Sequence, residues 1–236
     1  MKLSRHRQER YRQRYAEGRP GWQPSTHVYE ALVARRLAAR ARVLDLGCGR
    51  GGVVERLHGQ ARLFAGIDPD WQSLVEHREP SLAVACGLAQ ALPYADEAFE
   101  LVCCSWVLEH LEEPARACAE IGRVLRPGGR FVFLTPNARH PLLVLNRILA
   151  RTRGRLVHQV YDRGETDIFP AYYRANSPAR IHRLARQARM RCVSIRLVGD
   201  PTYLAFHEPL FQLACLAERL TPESMRVHLV GEYERC

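Results

Sequence analysis

The stretch Val43-Leu-Asp-Leu-Gly-Cys-Gly-Arg-Gly-Gly52 concentrates the residue types that let a backbone meet a ligand. Glycines at 47, 49 and 51 permit close approach and a sharp turn, because no Cβ stands in the way. In an open α/β sheet, such a strand-to-helix turn lies at the carboxyl ends of the strands, where ligands bind. Read literally, Gly47-x-Gly49-x-x-Gly52 also satisfies the dinucleotide fingerprint, so the loop alone does not choose a cofactor. Asp68, 21 residues after Gly47, stands where a ribose-binding carboxylate belongs. Charge-assisted bonds to two hydroxyls would be worth about 1.5–3 kcal/mol each. Its competing reading is a cap on the helix near Trp71. Asp45 separates the ligand classes: an acid two residues before the first glycine would set negative charge near two phosphates. It suits a cationic ligand end, such as a sulfonium carrying an amino acid.

These residues need a scaffold, and the chain from 42 to 137 reads as repeated strand-then-helix units. Arg42–Gly47, Leu63–Ile67, Leu82–Cys86, Phe99–Trp106 and Arg130–Thr135 are the predicted strands. Gly51–Gly59 has helical spacing at Val53, Val54 and Leu57, with Gly59 as a stop. Pro69 suits the first turn of a helix whose face is Trp71, Leu74 and Val75. Glu112–Leu125 is a helix with Cys118, Ile121 and Leu125 along one side, ending in the Arg126-Pro-Gly-Gly129 turn. Further on come a helix from Ser177 to Arg189, a strand at Val193–Val198 and a helix at Leu204–Leu220. Met225–Tyr233 alternates as an edge strand would. Apolar strands alternating with amphipathic helices argue a parallel sheet covered on both faces. Seven strands are expected, with 138–176 as a lid-like insertion.

At this point the sequence resembles the class I S-adenosylmethionine-dependent methyltransferases, closest to the group containing the quinone-biosynthesis type enzymes. VLDLGCGRGG (43–52) is similar to that family's cofactor loop and GIDPD (66–70) to its second-strand acid. LPYADEAFELVCCSWVLEHL (92–111) and EIGRVLRPGGRFVFLTPN (120–137) resemble its later motifs, in order. The resemblance implies an α/β, Rossmann-like seven-stranded sheet, mostly parallel with an antiparallel last strand and helices on both faces. It implies S-adenosyl-L-methionine as cofactor and no metal. Asp45, Gly47, Cys48 and Gly49 would line the methionine and ribose side, Asp68 the ribose hydroxyls, and Pro69 the adenine. Ser105 and Trp106 would face the sulfonium and the acceptor. Where the family often carries an acid for the adenine amino group, this chain has Leu88, so adenine must rely on backbone groups and apolar contact.

Methyl transfer asks for alignment of nucleophile, methyl and sulfur, and for a base where the acceptor must lose a proton. The candidate bases are His110, His140, His158, Tyr161, Tyr172, Tyr173 and His207; His110 and His140 lead. His110 has a competing role in fixing the turn after the fourth strand. Tyr172-Tyr173-Arg174 precedes a helix capped by Asn176 or Ser177, and reads either as plain helix entry or as an aromatic and cationic hold on an anionic acceptor. Trp106, Tyr173 and Arg174 are therefore the acceptor-side candidates.

The charge pattern bears on the acceptor. Thirty-five basic against 25 acidic residues leave +10, and Lys2 is the single lysine. Residues 1–20 carry +5, 21–150 carry 0, 151–196 carry +8 and 197–236 carry −3. Genome bias explains Arg in place of Lys, whereas the clustering suggests an anionic or membrane-associated acceptor. Arg151, Arg153 and Arg155 follow the apolar run Leu142–Leu149, which fits a solvated lid or a helix lying on a lipid-like surface. The eight cysteines include no zinc spacing and no C-x-x-C pair, and residues 1–20 lack an apolar signal core. A cytoplasmic protein without a transmembrane span is expected, with an N-terminal basic arm at 1–30 and one domain over 31–236. The tyrosines of the arm, Tyr11 and Tyr15, share a helical face fit for packing, and the resemblance implies an arm that folds over the cofactor. The fourth strand lacks the D/N/S-P-P-Y/F/W run of nucleic-acid amino-methyltransferases and a Pro-Cys nucleophile. A small-molecule acceptor is favoured over a tRNA or rRNA substrate, and over a non-catalytic cofactor-binding adaptor.

Overall fold

In the computed structural model, residues 3–52, 56–152 and 169–236 are described. Val53, Val54, Arg153, Arg155, His158 and Tyr161 lie outside them. The strands are β1 (Arg42–Leu46), β2 (Leu63–Asp68), β3 (Ala83–Cys86), β4 (Phe99–Ser105), β5 (Leu125–Pro136), β6 (Met190–Val198) and β7 (His228–Arg235). They form one seven-stranded sheet in the order β3-β2-β1-β4-β5-β7-β6, mostly parallel, with β7 antiparallel. The helices are α1 (Arg5–Glu17), α2 (Ser25–Ala34), α3 (Trp71–Val75), α4 (Pro114–Val124), α5 (Pro141–Thr152), α6 (Pro178–Gln187) and α7 (Glu208–Leu220).

Two compact units divide the described residues. The larger gathers those within Thr26–Pro136, Ala171–Arg196 and Leu229–Cys236. Its centre is apolar from strand to strand: Val43, Leu44, Leu101, Val102, Val132 and Phe133 are all fully buried. Burying a side chain of this size contributes about 1.5–3 kcal/mol each, which is why such runs specify interior strands. The register places Asp45 opposite both Gly66 of β2 and Cys103 of β4.

The smaller unit gathers residues within Met1–Ser25, Asn137–Pro170 and Leu197–His228. Tyr11 meets Phe211 of α7 with ring centroids 4.4 Å apart, and Tyr15 meets Trp22 edge-on at 4.9 Å. The two tyrosines thus share one packed face, as their spacing predicts, and α7 is what Tyr11 packs against. Arg12 pairs with Asp200 at 3.0 Å and Arg14 with Glu208 at 2.6 Å, while Arg7 donates to the Phe206 carbonyl. Much of the arm's positive charge is therefore spent inside its own unit.

Several element boundaries differ from expectation for identifiable reasons. The last strand is not at an edge: β7 lies between β5 and β6, and His228 through Tyr233 are buried. Its polar residues mimic a half-exposed strand, but buried Glu232 is held by Arg36 at 2.7 Å and Arg130 at 3.4 Å. The Arg126–Gly129 turn is absorbed into β5, which already pairs at Leu125 with Phe99. A register shift follows, with Gly128 at φ 76°. Helix α3 is a single turn, so it buries Leu74 and leaves Trp71 and Val75 exposed. The helix predicted from Leu204 starts at Glu208, because Pro209 favours the first turn and the His207 ring accepts from the Leu210 N–H. Gly59 falls inside a short 3-10 turn, His58–Gln60. Among the described residues no helix is long and apolar enough to cross a membrane.

Candidate cofactor and acceptor site

The loop after β1 is built to leave space. Gly47, Gly49 and Gly51 have φ of 76°, 50° and 109°, conformations that side chains disfavour. A Cβ at Gly47 would stand 2.1 Å from Val107 Cγ2, so the start of the loop tolerates no side chain. The Gly47 N–H donates to the Ile67 carbonyl at 2.7 Å, which ties the loop to the end of β2. Buried Cys48 fills the space a side chain at Gly66 would need, with its Sγ 2.7 Å from that Cβ position.

Asp68 ends β2 with both oxygens engaged by backbone: Oδ2 accepts from the Gly49 N–H and Oδ1 from the Asp70 N–H, each at 2.9 Å. Burial raises its pKa, and those two bonds pull against the rise. The cap of α3 is Asp70, whose carboxylate accepts from the Ser73 N–H, so Asp68 is not needed for it. Pro69 is exposed beside it, and Leu88, just past β3, is 55% exposed. A large apolar side chain left open at a strand end is available to a ligand ring.

Asp45 is 5% exposed, and burial pushes its carboxyl up to about 7. The Cys103 thiol donates toward it at 3.7 Å, which opposes the rise, and Asp68 adds to it. No cation among the described residues stands against this acid. An uncompensated buried carboxyl at a strand end is a binding-site signature for positive charge.

Of the residues expected to face the acceptor, half-buried Ser105 ends β4 and Trp106 follows in the left-handed region at φ 60°. Tyr173 is also left-handed at φ 52°. Non-glycine residues in this region cost of order 1–3 kcal/mol, which surrounding bonds must offset. Trp106 donates its N–H to the Leu134 carbonyl at 2.9 Å, and for Tyr173 the bonds come from Glu109, which carries no sequence signal of its own inside the VLEHL run. Its carbonyl accepts from the N–H groups of Tyr172 at 2.7 Å and Tyr173 at 3.0 Å. Its buried carboxylate accepts from Thr135 Oγ1 at 2.9 Å, and Thr135 Oγ1 accepts from Asn176 Nδ2 at 2.6 Å. Asn176 is thus committed to β5, leaving Ser177 as the N-cap of α6 without a side-chain bond. Arg174 donates to the Glu112 carbonyl at 2.6 Å and lies over the Tyr172 ring.

Asp45, Gly47, Cys48, Gly49, Asp68, Pro69, Leu88, Ser105, Trp106, His110, Tyr173 and Arg174 all belong to the larger unit. His110 closes a 3-10 turn, Leu108–His110, with its N–H on the Val107 carbonyl. His140 belongs to the smaller unit, where burial lowers its pKa and its Nδ1 has no hydrogen-bond partner. That unit also holds His228, missed in the sequence, between Ser25 Oγ at 2.9 Å and the Tyr203 hydroxyl at 2.7 Å. Burial lowers the His228 pKa to about 4. Among the described residues no group of three His, Cys, Asp or Glu side chains is placed to hold a metal.

Comparison with known proteins accords with this geometry. A family model described as a methyltransferase domain matches residues 44–133. An uncharacterized methyltransferase of Mycobacterium bovis is 35% identical over 153 residues, 63% of this chain and 59% of that protein. The chain thus spans under two thirds of that relative's length. A ubiquinone biosynthesis O-methyltransferase of Thiobacillus denitrificans is 30% identical over 184 residues, covering 71% of this chain and 76% of the relative. A solved S-adenosylmethionine dependent methyltransferase from Mesorhizobium loti superposes with TM-score 0.63 at 16% identity, covering 90% and 98% of the two chains, and shows the shared fold. The ordered motifs, the sheet order and these matches agree: the chain belongs to the class I S-adenosylmethionine-dependent methyltransferases.

Proposed function

We propose that this protein transfers the methyl group of S-adenosylmethionine to a small-molecule acceptor by in-line displacement. The observation that carries the reading is Asp45, a buried acid with no cation against it among the described residues, beside a glycine loop whose first position excludes a side chain. The residues present fit the cofactor's parts. Asp45 attracts the amino end of the methionine, Gly47, Cys48 and Gly49 let it approach, and Asp68 exchanges its backbone bonds for ribose hydroxyls. Pro69 and Leu88 offer apolar surface to adenine. When bound, the cofactor supplies a methyl group already activated on a cationic sulfur.

What remains for the chain is to orient the acceptor and take its proton. Ser105 and the aromatic rings of Trp106 and Tyr173 line the acceptor side, where a planar phenolic or prenylated molecule fits. The Thiobacillus relative, named for ubiquinone biosynthesis, supports an oxygen acceptor of this kind. An anionic group is served less well, because Arg174 would have to leave the Glu112 carbonyl to meet it. His110, in the same unit as these residues, is the proposed base.

The test is incubation of purified protein with methyl-labelled S-adenosylmethionine and separate small-molecule, lipid and RNA fractions of a cell extract. Label in the small-molecule or lipid fraction is expected. Label confined to RNA would overturn the acceptor class, and label in no fraction would overturn catalysis.

A further inference from the structure

Asp45 lies in surroundings that oppose its charge. It stands on β1 between Gly66 and Cys103, and it is nearly sealed from solvent. The titratable groups that face it are Cys103 and Cys104 from β4, Tyr29 from α2, Cys48 from the glycine loop and Asp68 from the end of β2. All of these are neutral or acidic. The direct donor is Cys103, whose fully buried Sγ lies 3.7 Å from Asp45 Oδ1 and 3.4 Å from the Leu44 carbonyl. Behind it sits the fully buried Tyr29 hydroxyl, which is in contact with the Cys103 thiol. Among the described residues, the wall behind the acid therefore offers one weak donor and no positive charge.

We propose that cofactor uptake by this chain is proton-linked through Asp45, and that Cys103 is the positioning residue that sets where on the pH scale the linkage falls. The inference rests on the methyltransferase reading above and adds to it a role for residues behind the cofactor. A sealed carboxyl without a cation holds its proton in the free protein, in keeping with a pKa pushed up to about 7. Docking of the cofactor's ammonium supplies the missing cation. The O–H bond of Asp45 then breaks, the electron pair stays on the carboxylate, and the proton leaves to solvent. A thiol donating to Asp45 favours the ionised form, so the donor at 103 keeps this step within reach of neutral pH. The glycine loop and the β1–β4 register bring the parts together, and only the donor atom on residue 103 is adjustable.

S-adenosylhomocysteine carries the same amino end and serves as the probe. Titration calorimetry in two buffers of different ionisation enthalpy counts the protons. About one proton released per ligand near pH 6 and almost none near pH 8 is expected, with affinity falling about tenfold per pH unit on the acid side. Asp45→Asn should abolish the release. Cys103→Val should move the inflection to higher pH, and Cys103→Ser, which keeps a donor, should restore it. Melting temperatures of the ligand-free variants report any damage to packing, which alone would not move the inflection. Binding without proton release, or release that persists in Asp45→Asn, would overturn the linkage, and an inflection unmoved in Cys103→Val would overturn the role of Cys103, in each case leaving the function intact. Absence of binding at every pH would overturn both.

Discussion

Asp45 and Asp200 are equally hidden, each 5% exposed, yet the two are treated in opposite ways. Asp200, in the smaller unit, accepts from the Thr202 N–H at 3.0 Å, from Thr202 Oγ1 at 2.5 Å and from Arg12 at 3.0 Å. Its charge is compensated by the chain itself. Asp45, in the larger unit, has a thiol at 3.7 Å and no cation among the described residues. A compensated buried charge holds structure together, whereas an uncompensated one costs stability and persists where a ligand will compensate it.

The sharpest test of this contrast compares two substitutions by urea unfolding near pH 8. Asp200→Ala leaves the partly exposed Arg12 with Glu9 alone and removes the acceptor of both Thr202 bonds, and should cost about 1.5–3 kcal/mol, the worth of a hydrogen bond to a charged group. Asp45→Asn removes an uncompensated charge and should leave stability unchanged or raise it. Equal losses at the two sites would break the comparison.

Titration of stability sharpens it further. His228 is buried neutral with a pKa near 4 against an ordinary 6.5, so its contribution is complete above 6.5 and lost as pH falls toward 4. That loss is roughly 3 kcal/mol at about 1.4 kcal/mol per pH unit. Asp45 has the opposite sign: raised from 3.8 to about 7, it favours the fold at low pH and loses that contribution as pH rises through 7. Comparing wild type with His228→Gln and Asp45→Asn between about pH 4 and 8 by chemical denaturation should show two difference curves of opposite slope. Curves of the same sign would refute the assignment.

Removal of Asp68 acts on the ligand more than on the fold. Asp68→Ala should weaken S-adenosylhomocysteine by about 10- to 100-fold in calorimetry, the worth of one charge-assisted hydrogen bond. Unchanged affinity would remove the ribose role. The smallest effect is expected at Arg14→Ala, because its pair with Glu208 is open to solvent. Its melting temperature should stay close to that of the wild type, and a large drop would mean the arm's surface pairs matter more than their exposure implies.

Much of the candidate site was legible because its signals are local. Glycines at 47, 49 and 51, Asp45 and Asp68 occupy fixed offsets along one strand-loop-helix-strand unit, and the strands are continuous apolar runs. The seven-strand count follows from the same periodicity. The arginine excess of the arm was legible as composition, but its use was not. Arg12 finds Asp200 across 188 residues, and such a pairing leaves no periodic trace. Burial of His140 and His228, and the clasp of Glu109 on Tyr172 and Tyr173, are hidden for the same reason.

By itself the sequence determined the class of chemistry, since backbone conformations open to glycine and acids at strand ends are demanded residue by residue. It determined equally that the central strands would be interior, because their apolar runs cannot be left in water. Tertiary structure alone decided that β7 enters between β5 and β6, that Cys103 stands opposite Asp45, and that Asp200 is neutralised while Asp45 is not. Those outcomes depend on which distant segments share a sheet register or a buried contact. A side chain's charge is written in the sequence, but whether anything balances it is settled only by what folds against it.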